Sequence, residues 1–144
     1  MKVEDIFELW EKDSKIDRTE LGDAALDIPK LHHKYYQILL AEKMQLRKFE
    51  SELKKLKLDK YEFLTQGPNE ETKEKGWRLP PKGMILKSDI PLYMDGDEDI
   101  INQSLKIGLQ QEKVELLESI IRTIMNRSFI IRDAIDWAKF TMGA

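Results

Sequence analysis

The 144-residue chain contains no cysteine, which excludes disulfides, thiolate metal sites and cysteine nucleophiles. Its first five residues turn acidic at once and contain no apolar signal core, and no apolar run approaches membrane-spanning length. The sequence also has no Walker-type phosphate loop and no nucleophile–base–acid set. We therefore expect a soluble protein of a reducing compartment that is not an enzyme and needs no cofactor.

Proline and glycine are scarce and unevenly distributed. Four of the five prolines and four of the seven glycines lie within residues 67–99, whereas residues 30–64 contain neither. Because both residue types interrupt helices, this distribution predicts an all-α chain in three parts. These parts are an N-terminal helical region with a long basic helix (1–66), an irregular connecting segment (67–97) and a C-terminal helical oligomerisation region (98–144).

Shorter elements follow from local signals. An apolar face predicts a first helix over residues 3–12, and a second short helix ends before Pro29, which suits the first turn of the long helix. Residues 84–86 and 90–93 are interpreted as short extended pieces or a small hairpin, and residues 70–75 as a solvated segment. Residues 126–128 mark a break in the C-terminal helix.

The long helix carries a heptad pattern that predicts a coiled-coil-like seam. Seven of its nine members are apolar, and the other two are Glu42 and Lys60. The nine positions are Tyr35, Leu39, Glu42, Leu46, Phe49, Leu53, Leu56, Lys60 and Phe63.

The C-terminal region is more apolar than a small chain is expected to bury by itself. Its broad stripe therefore predicts contact with further copies of the chain. The residues assigned to this oligomerisation surface are Leu109, Leu116, Ile120, Ile124, Ile131 and Ile135.

Charge is strongly segregated although the total is only −3. Residues 30–60 hold nine basic and four acidic side chains, whereas residues 1–29 hold four basic and nine acidic ones. A positive stripe on a helix is typical of polyanion binding, although on charge alone the solvated flank of a coiled coil is the commoner explanation. Aromatic residues beside the stripe favour single-stranded nucleic acid, because bases stack on such rings. The DNA-binding candidates are Arg47, Lys48, Lys54, Lys55, Lys57, Lys60 and Tyr61.

Two other clusters do not predict metal sites. His32 and His33 are adjacent, so on a helix they point about 100° apart and cannot easily share an ion. The acidic run at residues 95–99 lacks the spacing of a calcium loop and is better interpreted as a helix start.

The chain resembles the UvsY recombination mediator family of T4-like bacteriophages over nearly its full length. Lys57 stands where the family usually has Arg, and the glycine turn after this segment comes later than in the family. The resemblance is carried by Asp17-x-Thr19-x-Leu21 with Ala24-Ala25, the helix over 42–57, the segment Lys55 to Tyr61 (similar to Lys-x-Arg-Leu-Asp-x-Tyr), residues 84–89, and Arg127-Ser128-Phe129-x-Ile131-x-x-x-Ile135.

The resemblance implies a recombination mediator that binds single-stranded DNA in the cytoplasm of the infected bacterial host. Such proteins contact the phage recombinase and the phage single-strand-binding protein, and they promote loading of the recombinase onto covered strands. The resemblance also implies a homo-oligomeric ring, hexameric or heptameric, held by C-terminal helices, with the basic motif mapped to Lys55 and Lys57. The competing hypothesis is a structural coiled-coil adaptor or assembly protein without DNA binding.

Overall fold

The computed structural model describes residues 1–81, 83 and 85–143. Across these residues all regular secondary structure is helical, which confirms the all-α class. The α-helices are α1 (Val3–Asp13), α2 (Leu21–Leu26), α3 (Ile28–Gln66), α4 (Glu70–Glu74), α5 (Ile90–Asp95), α6 (Glu98–Met125) and α7 (Arg127–Thr141), with a 3₁₀ turn at Lys87–Asp89. No helix in the described parts is long and apolar enough to cross a membrane.

The long helix α3 begins and ends close to the predicted residues. Pro29 occupies its first turn, where a missing N–H costs nothing. Gly67 ends the helix with a φ of +87°, and its N–H donates to the carbonyl of Phe63 at 3.0 Å. Only glycine adopts this left-handed conformation without strain, so the position of the stop is set by the sequence.

Residues 67–97 are more helical than expected. Asn69 caps α4 by accepting from the N–H of Thr72 at 2.8 Å, and the Thr72 hydroxyl accepts from the N–H of Asn69. Residues 90–93 belong to α5 rather than to an extended piece, because Pro91 lies in the first turn of that helix. Of the other predicted extended piece, Met84 lies outside the described residues.

The chain forms two compact units. The first comprises Met1–Met44 with Gln110–Ala144, and the second comprises Gln45–Leu109. The buried apolar residues of the first unit come from α1, α3, α6 and α7: Ile6, Tyr35, Leu39, Val114, Leu117, Ile120, Ile121, Ile124 and Ile131. Those of the second come from α3, α5 and α6: Phe49, Phe63, Leu64, Ile90, Ile100 and Ile107.

The predicted seam of α3 is the side of the helix that the chain buries. Its apolar members are buried or half-buried, and so are its two charged members. In the first unit, Glu42 accepts from the Gln110 amide at 2.7 Å and lies 3.6 Å from Lys113. In the second unit, Lys60 forms ion pairs with acidic residues near the start of α6. The seam therefore packs within the chain itself, with matched polar groups on α6.

Candidate nucleic-acid interface

The exposed side of α3 in the second unit carries most of the predicted DNA-binding residues. With about 100° per residue, Lys54 and Tyr61 lie within about 40° of Arg47 around the helix axis, and Lys57 lies about 80° away on the same side. Lys48 and Lys55 lie about 80° to 100° away on the other side. All six side chains are at least partly exposed. We call this surface the basic face.

Most cations of the basic face carry no ion pair. Lys55 pairs with Asp59 at 2.9 Å, one turn along the helix, and this carboxylate raises the pKa of Lys55 above its ordinary value. Among residues 1–81, 83 and 85–143, no carboxylate pairs with the remaining four. These four are Arg47, Lys48, Lys54 and Lys57. Unpaired, hydrated cations in a row are available to neutralise phosphates.

Lys60 does not lie on the basic face. It is 6% exposed, and its ammonium group contacts Asp97 at 3.1 Å and Asp99 at 2.8 Å. The same group lies 3.9 Å from the centre of the Trp77 ring, a cation–π contact. Because its helical position points to the buried side, Lys60 holds the second unit together, and its assignment to a DNA contact is corrected.

Tyr61 and Trp77, two aromatic residues close to the basic stripe in the sequence, have different surroundings. Tyr61 is 44% exposed on the basic face. Trp77 packs edge-on against Phe63, with ring centres 5.6 Å apart, and is covered by Lys60 and Lys75. Trp77 therefore fixes residues 77–79 against α3, while Tyr61 is free to meet a ligand.

The predicted oligomerisation residues separate into buried and accessible ones. Ile120, Ile124 and Ile131 are at most 3% exposed within the chain itself, so they are not available to another copy. The expectation that the stripe exceeds what one chain can bury was wrong for these three, because the first unit supplies buried partners from α1 and α3. Leu116 and Ile135 are half-buried, and Leu109 is 59% exposed.

Part of the accessible apolar surface of the C-terminal region lies on α7. Phe129 and Ile130 are about half exposed, and Trp137 and Phe140 are 66% and 74% exposed. The Trp137 and Phe140 rings stack on each other with centres 5.7 Å apart. The sequence pattern placed Trp137 and Phe140 in the broad apolar stripe, but it did not assign them, or Phe129 and Ile130, to the oligomerisation surface.

Arg127, the first residue of the motif at residues 127–135, is a structural residue. It is 5% exposed, and its Nη2 donates to the carbonyls of Asp13, Ser14 and Lys15 at 3.0 to 3.2 Å. These carbonyls end α1, where a cation suits the helix dipole. Arg127 thereby ties the end of α1 to the first turn of α7.

The carboxylate of Asp13 belongs to the same polar cluster. Burial alone would raise its pKa, but Lys34 and Tyr35 donate to it at 2.7 and 2.8 Å, and these bonds with the Lys34 and Arg127 charges hold the pKa below its ordinary value. Burial, with the hydrogen bond to Asp13, raises the pKa of Tyr35. The hydroxyl of Tyr35 therefore stays protonated and acts as a donor.

The fold and the basic face define an all-helical protein with a positively charged surface on one long helix. The family model described as "Recombination, repair and ssDNA binding protein UvsY" matches residues 9–144. The chain therefore belongs to the UvsY family, a family of recombination, repair and single-stranded-DNA-binding proteins, which confirms the resemblance carried by the sequence motifs.

Solved structures of the bacteriophage T4 recombination mediator protein UvsY have the same fold. One crystal form matches with a TM-score of 0.77 at 20% sequence identity, covering 99% of this chain and 98% of that one. A second form gives the same TM-score at 18% identity, covering 98% and 99%. No curated protein sequence matches the chain.

Proposed function

We propose that the protein is a recombination mediator that binds single-stranded DNA through the basic face of α3. The observation that carries the proposal is the group of four cations without carboxylate partners among the described residues, in a chain of the UvsY family. The mediator acts without catalysis: it promotes loading of the phage recombinase onto strands covered by the phage single-strand-binding protein. Its place of action is the cytoplasm of the infected bacterial host.

The chemistry of the basic face supports sequence-independent binding. Lysine and arginine side chains along a helix neutralise successive phosphates, and each contact releases a counterion condensed on the strand. Arg47 and Lys54 lie nearly in line along the helix, two turns apart. Such contacts position a strand without reading its bases, which suits a protein that must act on any sequence.

Replacing Arg47 and Lys54 with Ala is expected to weaken binding to a labelled oligothymidylate. Each phosphate contact on a single strand contributes about 0.7 to the slope of log K against log salt, so losing two lowers the slope by about 1.4. The same relation predicts a loss of affinity of roughly 25-fold at about 0.1 M salt. Fluorescence anisotropy across a salt series measures both quantities.

The matched control is the Lys15→Ala/Arg18→Ala double variant, which removes the same two residue types from exposed positions before α2. We expect it to bind like the unchanged protein. An equal loss of DNA affinity in both double variants would show that net charge alone matters. That result would contradict the assignment of DNA binding to the basic face. Absence of binding by the unchanged protein at low salt would overturn the mediator and favour the coiled-coil adaptor.

We further propose that the exposed side of α7 joins copies of the chain into a hexameric or heptameric ring. In a ring, weak protomer sites are repeated, so avidity along a strand can exceed the affinity of one site by orders of magnitude. Large stacked aromatic rings, such as Trp137 and Phe140, are typical anchors of protein interfaces. In this proposal, exposed residues of α7 form the contact between copies of the chain. They take the place of the buried residues Ile120, Ile124 and Ile131, which the sequence pattern had assigned to it.

Changing Trp137 to Glu is expected to dissociate the assembly. A carboxylate placed among apolar side chains at an interface must be desolvated without a partner, which costs several kcal/mol. Sedimentation velocity should then show a smaller species with unchanged helix content. The control is Leu92→Glu, at a position that is 72% exposed in the second unit, and it should leave the assembly intact. Unchanged sedimentation of Trp137→Glu would contradict the proposed contact.

A further inference from the structure

A largely apolar groove adjoins the basic face in the second unit. It encloses about 770 Å³, a volume within the range of ligand sites. Its floor is formed by aliphatic side chains, among them Ile90, Met94, Ile101 and Leu105. Ile101 and Leu105 lie one turn apart on α6 and are 41% and 67% exposed.

The rim of the groove shares residues with the basic face. Lys57 and Tyr61, one turn apart on α3, line the groove and also belong to the basic face. Lys87 lines the groove as well, while Asp95 is its single acidic residue within the described part of the chain. The groove therefore combines an apolar floor, one exposed aromatic ring and an excess of cations.

We propose that this groove receives nucleobases of the strand whose phosphates lie on the basic face. A strand that runs along Arg47 and Lys54 reaches Lys57 and Tyr61 without a break, so its bases arrive beside the apolar floor. Tyr61 offers a ring for stacking, and the aliphatic side chains cover the faces of the bases. The assignment rests on the proposed function and adds a base-binding element to it.

The shape and chemistry of the groove define what it selects. Most of its lining is aliphatic, and besides Tyr61, Ser104 and Asp95 are its uncharged and acidic polar residues within the described part of the chain, so few groups read base edges and selection among bases should be weak. Lys57 and Lys87 provide charge for the adjoining phosphates. The expected ligand is therefore an unpaired strand of any sequence, since a duplex keeps its bases stacked and out of reach.

The test compares oligothymidylate with an abasic strand of equal length, which keeps the phosphates and lacks the bases. Stacking of a base on an aromatic ring contributes about 1–3 kcal/mol, so we expect the unchanged protein to prefer the thymidylate by roughly tenfold. Tyr61→Ala and Leu105→Ser should abolish most of this preference by lowering the affinity for thymidylate towards that for the abasic strand. Tyr61→Phe should retain the preference for thymidylate, because this variant keeps the aromatic ring.

The Arg47→Ala/Lys54→Ala variant provides the internal comparison. It should weaken binding of both strands equally, because it removes phosphate contacts alone. If the unchanged protein binds neither strand, the proposed function fails. If it binds both equally, or if its preference survives in Tyr61→Ala and Leu105→Ser, the groove proposal is overturned while the basic face stands. Loss of self-association or recombinase binding in these variants, with the base preference intact, would assign the groove to a protein partner and also overturn it.

Discussion

Replacing Arg127 with Met is expected to lower the free energy of unfolding by about 3 kcal/mol. The guanidinium is 5% exposed and donates from Nη2 to three carbonyl oxygens at the end of α1. Met fills a similar volume but offers no donor, so those partly buried carbonyls lose a charged partner. Removing one partner of a buried polar contact costs more than replacing both, because the remaining groups stay desolvated.

The expected loss of stability is limited because one part of the Arg127 side chain is unfavourable in the native protein. Nη1 of Arg127 is buried and has no hydrogen-bond partner among the described residues. The Arg127→Met change removes the unpaired Nη1 donor together with the Nη2 donor that binds the carbonyls. The expected decrease in the free energy of unfolding is therefore smaller than the largest values for buried ion pairs. Arg127→Lys should recover only part of the stability, since an ammonium group lacks the planar fork.

The matched control for this prediction is Arg132→Met on the same helix. The Arg132 side chain is 65% exposed, and its contacts are the Phe129 ring at 5.1 Å and Asp133 at 3.9 Å. Exposed pairs of this kind contribute at most about 1 kcal/mol. Urea unfolding followed by circular dichroism, at one protomer concentration for all variants, measures the difference. Equal midpoints for the two Met variants would show that Arg127 does not tie α1 to α7.

Much of the fold follows from local sequence signals. The length of α3 was predictable because its interior lacks proline and glycine, and because Gly67 supplies the conformation that stops it. The break between α6 and α7 falls at Asn126, within the predicted residues 126–128. The short helices Glu70–Glu74 and Ile90–Asp95 were not predicted, because the capping role of Asn69 and the place of Pro91 in a first helical turn were not recognised.

Side-chain roles were harder to predict because they depend on distant partners. Lys60 looks like its neighbours Lys54, Lys55 and Lys57 in the sequence, and only its place on the seam distinguishes it. A charged residue at an otherwise apolar heptad position predicts a buried partner, and that signal was present for both Glu42 and Lys60. The residues that pair with Glu42 and Lys60, in the middle and near the start of α6, could be identified only from the folded structure.

The apolar stripe of α6 and α7 was misjudged for a related reason. Burial of Ile124 and Ile131 depends on α1 and α3 lying in the same unit as the C-terminal helices, and no local pattern encodes that arrangement. The short motif at residues 127–135 is now explained in physical terms. Arg127 holds the end of α1, and Ile131, one turn further along, enters the core.

Changing Glu42 to Gln is expected to destabilise the protein by about 2–3 kcal/mol at neutral pH. The carboxylate is 6% exposed; Oε2 accepts from the Gln110 amide at 2.7 Å and lies 3.6 Å from the Lys113 ammonium. Gln keeps the volume but removes the charge, leaving Lys113, also mostly buried, without its partner. Glu115→Gln, at an exposed position on α6, is the matched control and should change stability little.

The effect of Glu42→Gln should depend on pH in a defined direction. Burial would raise the pKa of Glu42, but hydrogen bonds from Gln110 and from the Met1 ammonium (3.1 Å from Oε1), with the charges of Lys113 and of that ammonium, lower it below its ordinary value in the folded chain. A carboxyl group with a lowered folded pKa stabilises the protein above its unfolded pKa of about 4.3, and that contribution is lost as the pH falls through the folded value. The stability difference between the unchanged protein and the Glu42→Gln variant, measured by urea unfolding, should therefore be full at pH 7 and shrink on acidification. A difference that stays constant with pH would show that shape and hydrogen bonding, rather than charge, account for the role of Glu42.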